Sequence, residues 1–197
     1  MRTRDSNKEQ VVKEKAIGML VKDGFEGFSM NKLARASGIS VATLYIYYKD
    51  KEDLIKKLGV EIGEKFFAET LKGFSANMSF RDGLKKQWEN RARYALKYPG
   101  EVACYEIIRH STHGDYILSK SVREFREVMG IFFHGAIKRK ELVPVSEEVF
   151  WSVAYGSLYT LLRFQTEGKN IAGKPFTLSK KTMNEAFELT LKALTPQ

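Results

Sequence analysis

The chain has 197 residues, enough for one domain or two small ones with a substantial core. A formal charge of +9 and a pI near 9.5 favour an anionic partner, although a basic composition alone does not identify it. The only cysteine, Cys104, excludes an internal disulfide, and the N-terminus "MRTRDSNKEQ" lacks the apolar stretch of a secretory signal. No apolar run is long enough to cross a bilayer, so we expect a soluble cytoplasmic protein without membrane contact.

Four prolines and the lack of strong β-hairpin dipeptides predict an all-α chain. In the first helix, over residues 8–22, apolar residues recur every four positions, and "DGFEGF" then ends the helix. Two short helices follow, over residues 30–37 and 41–47. Ser29 and Ser40 are placed to cap their N-termini, and Gly38 lies between them.

A longer helix is predicted after Asp50, which together with Asp53 resembles a capping box. An apolar stripe at four-residue spacing predicts that this helix extends to about Phe74. The remaining helices are predicted over 80–98, 101–110, 115–140 and 147–167, and from Ser179 to the end. The stretch "TEGKNIAGKPFT" before the last helix is predicted to be a mobile loop.

The two short helices have the spacing of a helix-turn-helix. Helices that cross at a steep angle need a small residue on the first, a glycine in the turn and an apolar residue on the second. Ala34, Gly38 and Leu44 occupy these positions. In such a motif the second helix lies in the major groove of DNA and the first crosses the backbone. The spacing indicates a DNA-binding head, although chance A-x-x-x-G matches are common in helical proteins.

The residues from about Val11 to Leu58 resemble the TetR family of transcriptional regulators. The resemblance is strongest in "FSMNKLARASGISVATLYIYYKDKEDLI", with its T-L-Y triplet, aromatic pair, and lysine with acids opening a long helix. It implies an N-terminal three-helix helix-turn-helix DNA-binding domain. A long helix would join this domain to a C-terminal helical ligand-binding and dimerisation domain. We place the two domains at residues 1–50 and 51–197.

The resemblance also implies which residues meet DNA. Thr43 and Tyr47 are four residues apart and share one helix face, whereas Leu44 and Tyr48 share a neighbouring face, and Tyr48 is expected to pack inward. Lys51, at the start of the long helix, would meet a phosphate. The predicted DNA-binding residues are Ser29, Ser40, Thr43, Tyr45, Ile46, Tyr47, Lys49 and Lys51.

Structural alternatives exist for each of these residues. The tyrosines would also suit core or dimer packing, the lysines simple solvation, and the serines capping alone. Ile46 departs from commoner family members, and it either touches a thymine methyl group or faces water. Arg2 and Arg4 either form an arm in the minor groove or belong to a disordered tail.

Aromatic and flexible apolar side chains are abundant beyond the head, and most of them belong to the core. The resemblance implies that the helices after the long connector enclose a cavity for a small apolar or amphipathic molecule, with no cofactor. His110 and Gln165 are further polar candidates for its lining. The predicted ligand-binding residues are Phe67, Trp88, Tyr94, Tyr105, Arg109, Phe125, Met129, Phe132, Tyr155 and Tyr159.

The last two predicted helices have the composition of a dimer interface. Ala154, Gly156 and Ser157 are small residues among bulky neighbours in "EEVFWSVAYGSLYTLLRF", and small residues let another helix approach closely. The last helix is amphipathic and offers a mate. Two such helices from each chain would form a four-helix interface in a homodimer, whereas the alternative is an ordinary helix pair within one chain.

Motifs for other classes of protein are incomplete. His110 and His113 in "RHSTH" lack nearby carboxylate or thiol partners, so no metal site is predicted. The sequence has no Gly-rich phosphate loop, competent zinc cluster or nucleophile motif, which argues against an enzyme. A helical adaptor that binds only protein is the second rival. We predict a dimeric, ligand-responsive regulator of transcription, a repressor that a small molecule releases from its double-stranded DNA operator.

Overall fold

The computed structural model describes residues 6–196, and within them the chain forms ten α-helices. The predicted all-α fold class is confirmed. Arg2 and Arg4 lie outside the described residues. The helices are α1 (Ser6–Gly27), α2 (Met30–Ala36), α3 (Val41–Tyr47), α4 (Lys51–Leu71), α5 (Phe80–Lys97), α6 (Pro99–Arg109), α7 (Gly114–Ser121), α8 (Arg123–Lys138), α9 (Glu147–Glu167) and α10 (Lys180–Leu194).

Local sequence signals explain most of the helix ends. Within "DGFEGF", Gly24 has a φ of 63°, so α1 leaves helical geometry where its end was predicted. Helix α6 begins at Pro99 rather than at Glu101, because a proline at the first position of a helix gives up an N–H that has no helical partner there. Ser146 and Ser179 cap α9 and α10 by accepting hydrogen bonds from backbone N–H groups three residues on.

The single helix predicted over 115–140 is wrong, because the structure has two helices there, α7 and α8. They are separated at Val122, which has φ −103° and ψ −6° and whose N–H donates to the Leu118 carbonyl. The preceding Ser121 is buried, and its hydroxyl donates to the Ile117 carbonyl at 2.8 Å. Ser121 packs closely on Gly63 of α4. The break therefore depends on packing against another helix, which periodicity alone does not reveal.

The chain divides into two compact units. The first comprises the chain up to Lys65 together with Tyr98–Val122, and the second comprises Phe66–Lys97 and the chain from Arg123 onward. Helices α1, α2, α3, α6 and α7 and most of α4 share the core of the first unit. Helices α5, α8, α9 and α10 build the second. The division into domains at residues 1–50 and 51–197 stays a prediction.

The segment between α9 and α10, predicted to be a mobile loop, is closed by its own backbone hydrogen bonds. Asn170 N–H donates to the Lys174 carbonyl at 2.9 Å, and Phe176 N–H donates to the Gly168 carbonyl at 3.0 Å. The Gln165 side-chain oxygen accepts from Leu178 N–H at 2.6 Å. Gln165, a candidate for the ligand site, anchors this segment in the structure, and the mobility of the segment stays a prediction.

None of the helices within residues 6–196 combines the length and the apolarity needed to span a bilayer.

Candidate nucleic-acid interface and effector site

Helices α2 and α3 form a helix-turn-helix whose second helix is capped by a serine. Ser40 Oγ accepts a hydrogen bond from Thr43 N–H at 3.0 Å and lies 2.8 Å from Thr43 Oγ1. Ser29 Oγ caps α2 in the same way, accepting from Lys32 N–H at 3.2 Å. Both predicted caps are confirmed, and their contacts with DNA stay predictions.

The turn between the two helices depends on a glycine. Gly38 has a φ of 66°, in the left-handed region that residues with a side chain rarely adopt. The following Ile39 N–H donates to the Ala34 carbonyl at 3.1 Å. Ala34 and Leu44 are buried, so the small, glycine and apolar positions serve the crossing of the two helices as predicted.

One face of α3 and the residues after it are exposed. Tyr45 and Ile46 lie three and four residues after Ala42 and four and three residues before Lys49, so the four residues share one face. All four are exposed, Tyr45 at 50% and Ile46 at 55%. A large aromatic and a large aliphatic side chain side by side in solvent suit a surface that another molecule covers. Sequence reasoning missed Ala42, although its spacing from Tyr45 and Ile46 places it on the same face.

The other side of α3 is buried. Tyr47 is 5% exposed and Tyr48 is 3% exposed, and their ring centroids lie 6.4 Å apart. The inward packing of Tyr48 is confirmed. Tyr47 is buried as well, together with Leu44 three residues before it on the same side of the helix. A contact of Tyr47 with DNA stays a prediction.

Lys51 links the start of α4 to the last turn of α1 and to the segment that follows it. Its ammonium group donates to the Phe25 carbonyl at 2.6 Å and to the Phe28 carbonyl at 3.2 Å. The ammonium also lies 5.8 Å from the centroid of the Phe28 ring. A lysine ammonium has three N–H donors, so one is left to bind a phosphate. The phosphate contact stays a prediction, and Lys51 has a structural role that the sequence did not indicate.

The N-terminus of α4 is closed by a pair of carboxylates. Asp50 accepts a hydrogen bond from Asp53 N–H at 2.8 Å, and Asp53 accepts one from Lys49 N–H at 2.9 Å. The Lys57 ammonium donates to Asp53 at 2.8 Å and, with the Lys49 N–H, holds the pKa of Asp53 below its usual value. These bonds fix the backbone of Lys49 next to the exposed face of α3, while its side chain stays exposed.

The second unit contains a cluster of rings around a buried arginine on α5, which sequence reasoning missed. Arg91 is 2% exposed, and its Nη1 donates to the Tyr159 hydroxyl at 3.0 Å. Its Nε and Nη2 atoms have no hydrogen-bond partner among the described residues. The guanidinium carbon lies 4.3 Å from the ring centroid of Tyr155, 5.4 Å from that of Phe125, 5.6 Å from that of Phe66 and 5.9 Å from that of Trp151.

Five of the predicted ligand-binding residues belong to this cluster or border it. Phe67 packs on Phe125, with centroids 4.9 Å apart, and Tyr94 meets the edge of Phe66 at 5.3 Å. The Arg91 cluster thus comprises Arg91, Phe66, Phe67, Phe125, Trp151, Tyr155 and Tyr159. A charged residue one turn from Trp88 and Tyr94, within the apolar stripe of α5, was the signal available in the sequence.

Other predicted ligand-binding residues have core contacts. Trp88 Nε1 donates to the Ala154 carbonyl at 2.7 Å, and the ring lies edge-on to Phe187. Phe132 is fully buried and packs on two other rings, and Met129 is buried as well. Their roles in ligand binding stay predictions.

Two predicted ligand-binding residues, Tyr105 and Arg109, belong to α6 in the first unit. Tyr105 is buried against Gly63, and Arg109 pairs with Glu106 at 3.0 Å. His110 also lies near Glu106, at 3.3 Å. Within residues 6–196, no group of three or more His, Cys, Asp and Glu side chains is arranged to hold a metal ion.

A helix-turn-helix with an exposed second helix, on a chain of charge +9, defines a DNA-binding protein. Residues 7–58 match the model of bacterial regulatory proteins of the tetR family. The crystal structure of a TetR family transcription regulator from Marinobacter aquaeolei VT8 is similar over 100% of both chains, with a TM-score of 0.85 and 25% identity.

Two further proteins are similar over most of their length. A TetR-family transcriptional regulator from Haemophilus influenzae Rd has a TM-score of 0.76 and 19% identity over 99% of this chain and 100% of its own. A relative described as an uncharacterized HTH-type transcriptional regulator, also from Haemophilus influenzae, is 22% identical over 179 residues, 89% of each chain. Residues 7–58 thus belong to the tetR family of bacterial regulatory proteins, and the proteins that are similar over most of the chain are described as transcriptional regulators.

Proposed function

We propose that the chain is a homodimeric repressor that binds a roughly palindromic operator and leaves it when a small apolar or amphipathic molecule binds the second unit. The observation that carries the proposal is the exposed face of α3, with Tyr45 and Ile46 half in solvent. This short helix covers only a half-site, and specificity usually needs two half-sites about one turn, or a multiple of it, apart.

The DNA contacts would come from the exposed face of α3 and the helix ends around it. Tyr45 and Ile46 would meet base edges or thymine methyl groups, and Ala42 would let the backbone approach the duplex. Lys49 and Lys51 would neutralise phosphates. Ser29, Ser40 and Thr43 lie at or near helix N-termini, where backbone N–H groups also favour phosphate.

Dimerisation is proposed through α9 and α10. Val149, Val153 and Leu189 are exposed on these helices at 47%, 36% and 70%. A Cβ atom at Gly156 would meet nothing within 4 Å, so a second chain can approach α9 closely there. Two other small residues have partners within the chain. Ser157 lies 3.0 Å from the Thr190 hydroxyl, and Ala154 is buried.

The release of DNA is proposed to act through α4. This helix begins with Lys51 and continues to Phe66 and Phe67, which belong to the Arg91 cluster. A ligand that moves the far end of α4 would displace the helix and change the separation of the two α3 helices in the dimer. Linkage then requires that operator DNA weaken ligand binding by the same factor, typically about 5- to 150-fold.

Selection of DNA fragments by the purified protein, followed by titration of the selected duplex at several salt concentrations, tests the proposal. We expect a palindromic sequence preference and an affinity that falls steeply with salt. Compounds that stabilise the protein against heat are then added to the complex, and at least one should lower its affinity. Tight binders that leave operator affinity unchanged would contradict ligand control, and a lack of sequence preference would contradict operator recognition.

A further inference from the structure

The Arg91 guanidinium is a buried charge without an anion. An arginine stays protonated in proteins, so burial cannot neutralise it. Aromatic faces attract the cation, but they do not replace hydrogen bonds to its N–H groups. Buried charges are normally paired, and nothing in the described fold pairs this one.

The free atoms of Arg91 form one side of the guanidinium. Nη1 is occupied by the Tyr159 hydroxyl, whereas Nε and Nη2 remain without partners. The N–H groups of Nε and Nη2 are parallel, and this fork matches the two oxygens of a carboxylate. The unused donors therefore have the geometry of a bidentate anion site rather than of scattered unsatisfied atoms.

A second unpartnered donor lies in the same cluster. Tyr155 is 1% exposed, its ring is the nearest of the four to the guanidinium, and its hydroxyl has no partner among the described residues. Burial raises the pKa of Tyr155 to about 12, although the neighbouring Arg91 guanidinium acts in the opposite direction, so the hydroxyl keeps its proton and can donate it. An anion bound by Arg91 would satisfy both residues.

The surrounding rings restrict the rest of the ligand. Phe66, Phe67 and Trp151 are only partly buried, and Tyr159 is 47% exposed, so part of the cluster reaches solvent. Aromatic walls favour an apolar body, and a single formal positive charge balances a single negative one. A second ligand charge would have no partner in the cluster.

We propose that the effector is an apolar monocarboxylate, bound side-on by Nε and Nη2 of Arg91 and by the Tyr155 hydroxyl. This inference rests on the proposed ligand control and names the chemical class of the ligand. The apolar body lies against the rings of Phe66, Phe125 and Trp151.

The test compares 2-naphthoate with its neutral analogue 2-naphthamide, and uses 2-naphthyl phosphate as the dianion. Each compound is added at concentrations up to about 10 mM, and the melting temperature of the full chain is recorded. We expect naphthoate to raise the melting temperature and to bind about tenfold tighter than the amide or the phosphate. Equal binding of carboxylate and amide, or no effect of naphthoate, would overturn the inference.

Variants of the two donors make the test specific. In Arg91→Met the preference for the carboxylate should vanish, and the ligand-free melting temperature should rise, because an unpaired buried charge has been removed. A lower melting temperature would mean that the guanidinium stabilises the fold, against the inference. Should Arg91→Met not fold, Arg91→Lys keeps the charge without the fork, and it should bind naphthoate several-fold more weakly than the parent does. An unchanged affinity for naphthoate in Arg91→Lys would overturn the inference. Tyr155→Phe should weaken naphthoate binding several-fold and leave amide binding unchanged.

The operator titration separates this inference from the proposed function. If naphthoate binds through Arg91 without changing operator affinity, the carboxylate site stands and the proposed ligand control fails. If naphthamide releases the operator as well as naphthoate does, the ligand control stands and the carboxylate site is wrong.

Discussion

The two tyrosines of α3 differ in solvent exposure, and their substitution is therefore expected to affect different properties. Tyr45 is half exposed, so Tyr45→Ala should leave the free energy of unfolding unchanged. It should weaken operator binding by about 1–3 kcal/mol, because a contact on the reading helix is lost. Fluorescence anisotropy with the selected duplex measures the affinity, and unchanged affinity would show that the DNA face lies elsewhere.

Tyr47→Ala is the matched variant within the same helix. Since Tyr47 is buried beside Leu44, its truncation should lower the free energy of unfolding by about 3 kcal/mol, an effect on folding that precedes any effect on DNA. Urea unfolding followed by circular dichroism measures it. A folded variant of full stability with weakened operator binding would instead return Tyr47 to the DNA-facing side.

Lys49 and Lys51 allow a similar comparison. Lys51→Ala removes two hydrogen bonds to the carbonyls of Phe25 and Phe28 and should destabilise the fold by about 1–3 kcal/mol, besides weakening binding to all DNA sequences. Lys49→Ala should leave stability unchanged and flatten the salt dependence of binding by about one unit. Parallel unfolding and salt titrations check both variants, and identical behaviour of the two would contradict the structural role of Lys51.

At the scale of helices, α4 approaches α7 closely through glycine. A Cβ atom at Gly63 would lie 2.7 Å from Ser121 Oγ and 2.9 Å from Ser121 Cβ, so Gly63→Ala must push the two helices apart. We expect a loss of about 1–3 kcal/mol in stability. Gly18→Ala is the control, since a Cβ there meets nothing within 4 Å, and it should stabilise α1 by about 0.5–1 kcal/mol. Equal stability of the two variants in urea would contradict this packing.

The features that the sequence predicted correctly depend on residues close to one another along the chain. The serine caps at 29 and 40, the turn at Gly38 and the acidic start of α4 are fixed within four residues, and the structure has all of them. The break at Val122 and the buried side of Tyr47 depend on contacts with other helices, so local patterns did not reveal them. Arg91 was missed because its environment comes from three other helices, which only the folded chain brings together.

For the whole molecule, the proposed dimer predicts that one charge on the exposed face of α10 breaks the assembly. Leu189 is 70% exposed, and Leu189→Asp should halve the mass in light scattering while leaving the circular dichroism spectrum unchanged. Ile171→Asp is the control, because Ile171 is 90% exposed and lies in the segment between α9 and α10. A Leu189→Asp variant that keeps the mass of the parent would place the interface on another surface.

The stoichiometry of the operator complex is the most direct test of dimeric operator recognition. The duplex selected by the purified protein is titrated with the chain, and the mass of the complex is measured by light scattering or native mass spectrometry. We expect two chains on one palindromic duplex, each covering one half-site, and loss of specific binding when either half-site is scrambled. One chain per duplex, or equal affinity for the intact and the scrambled site, would contradict it.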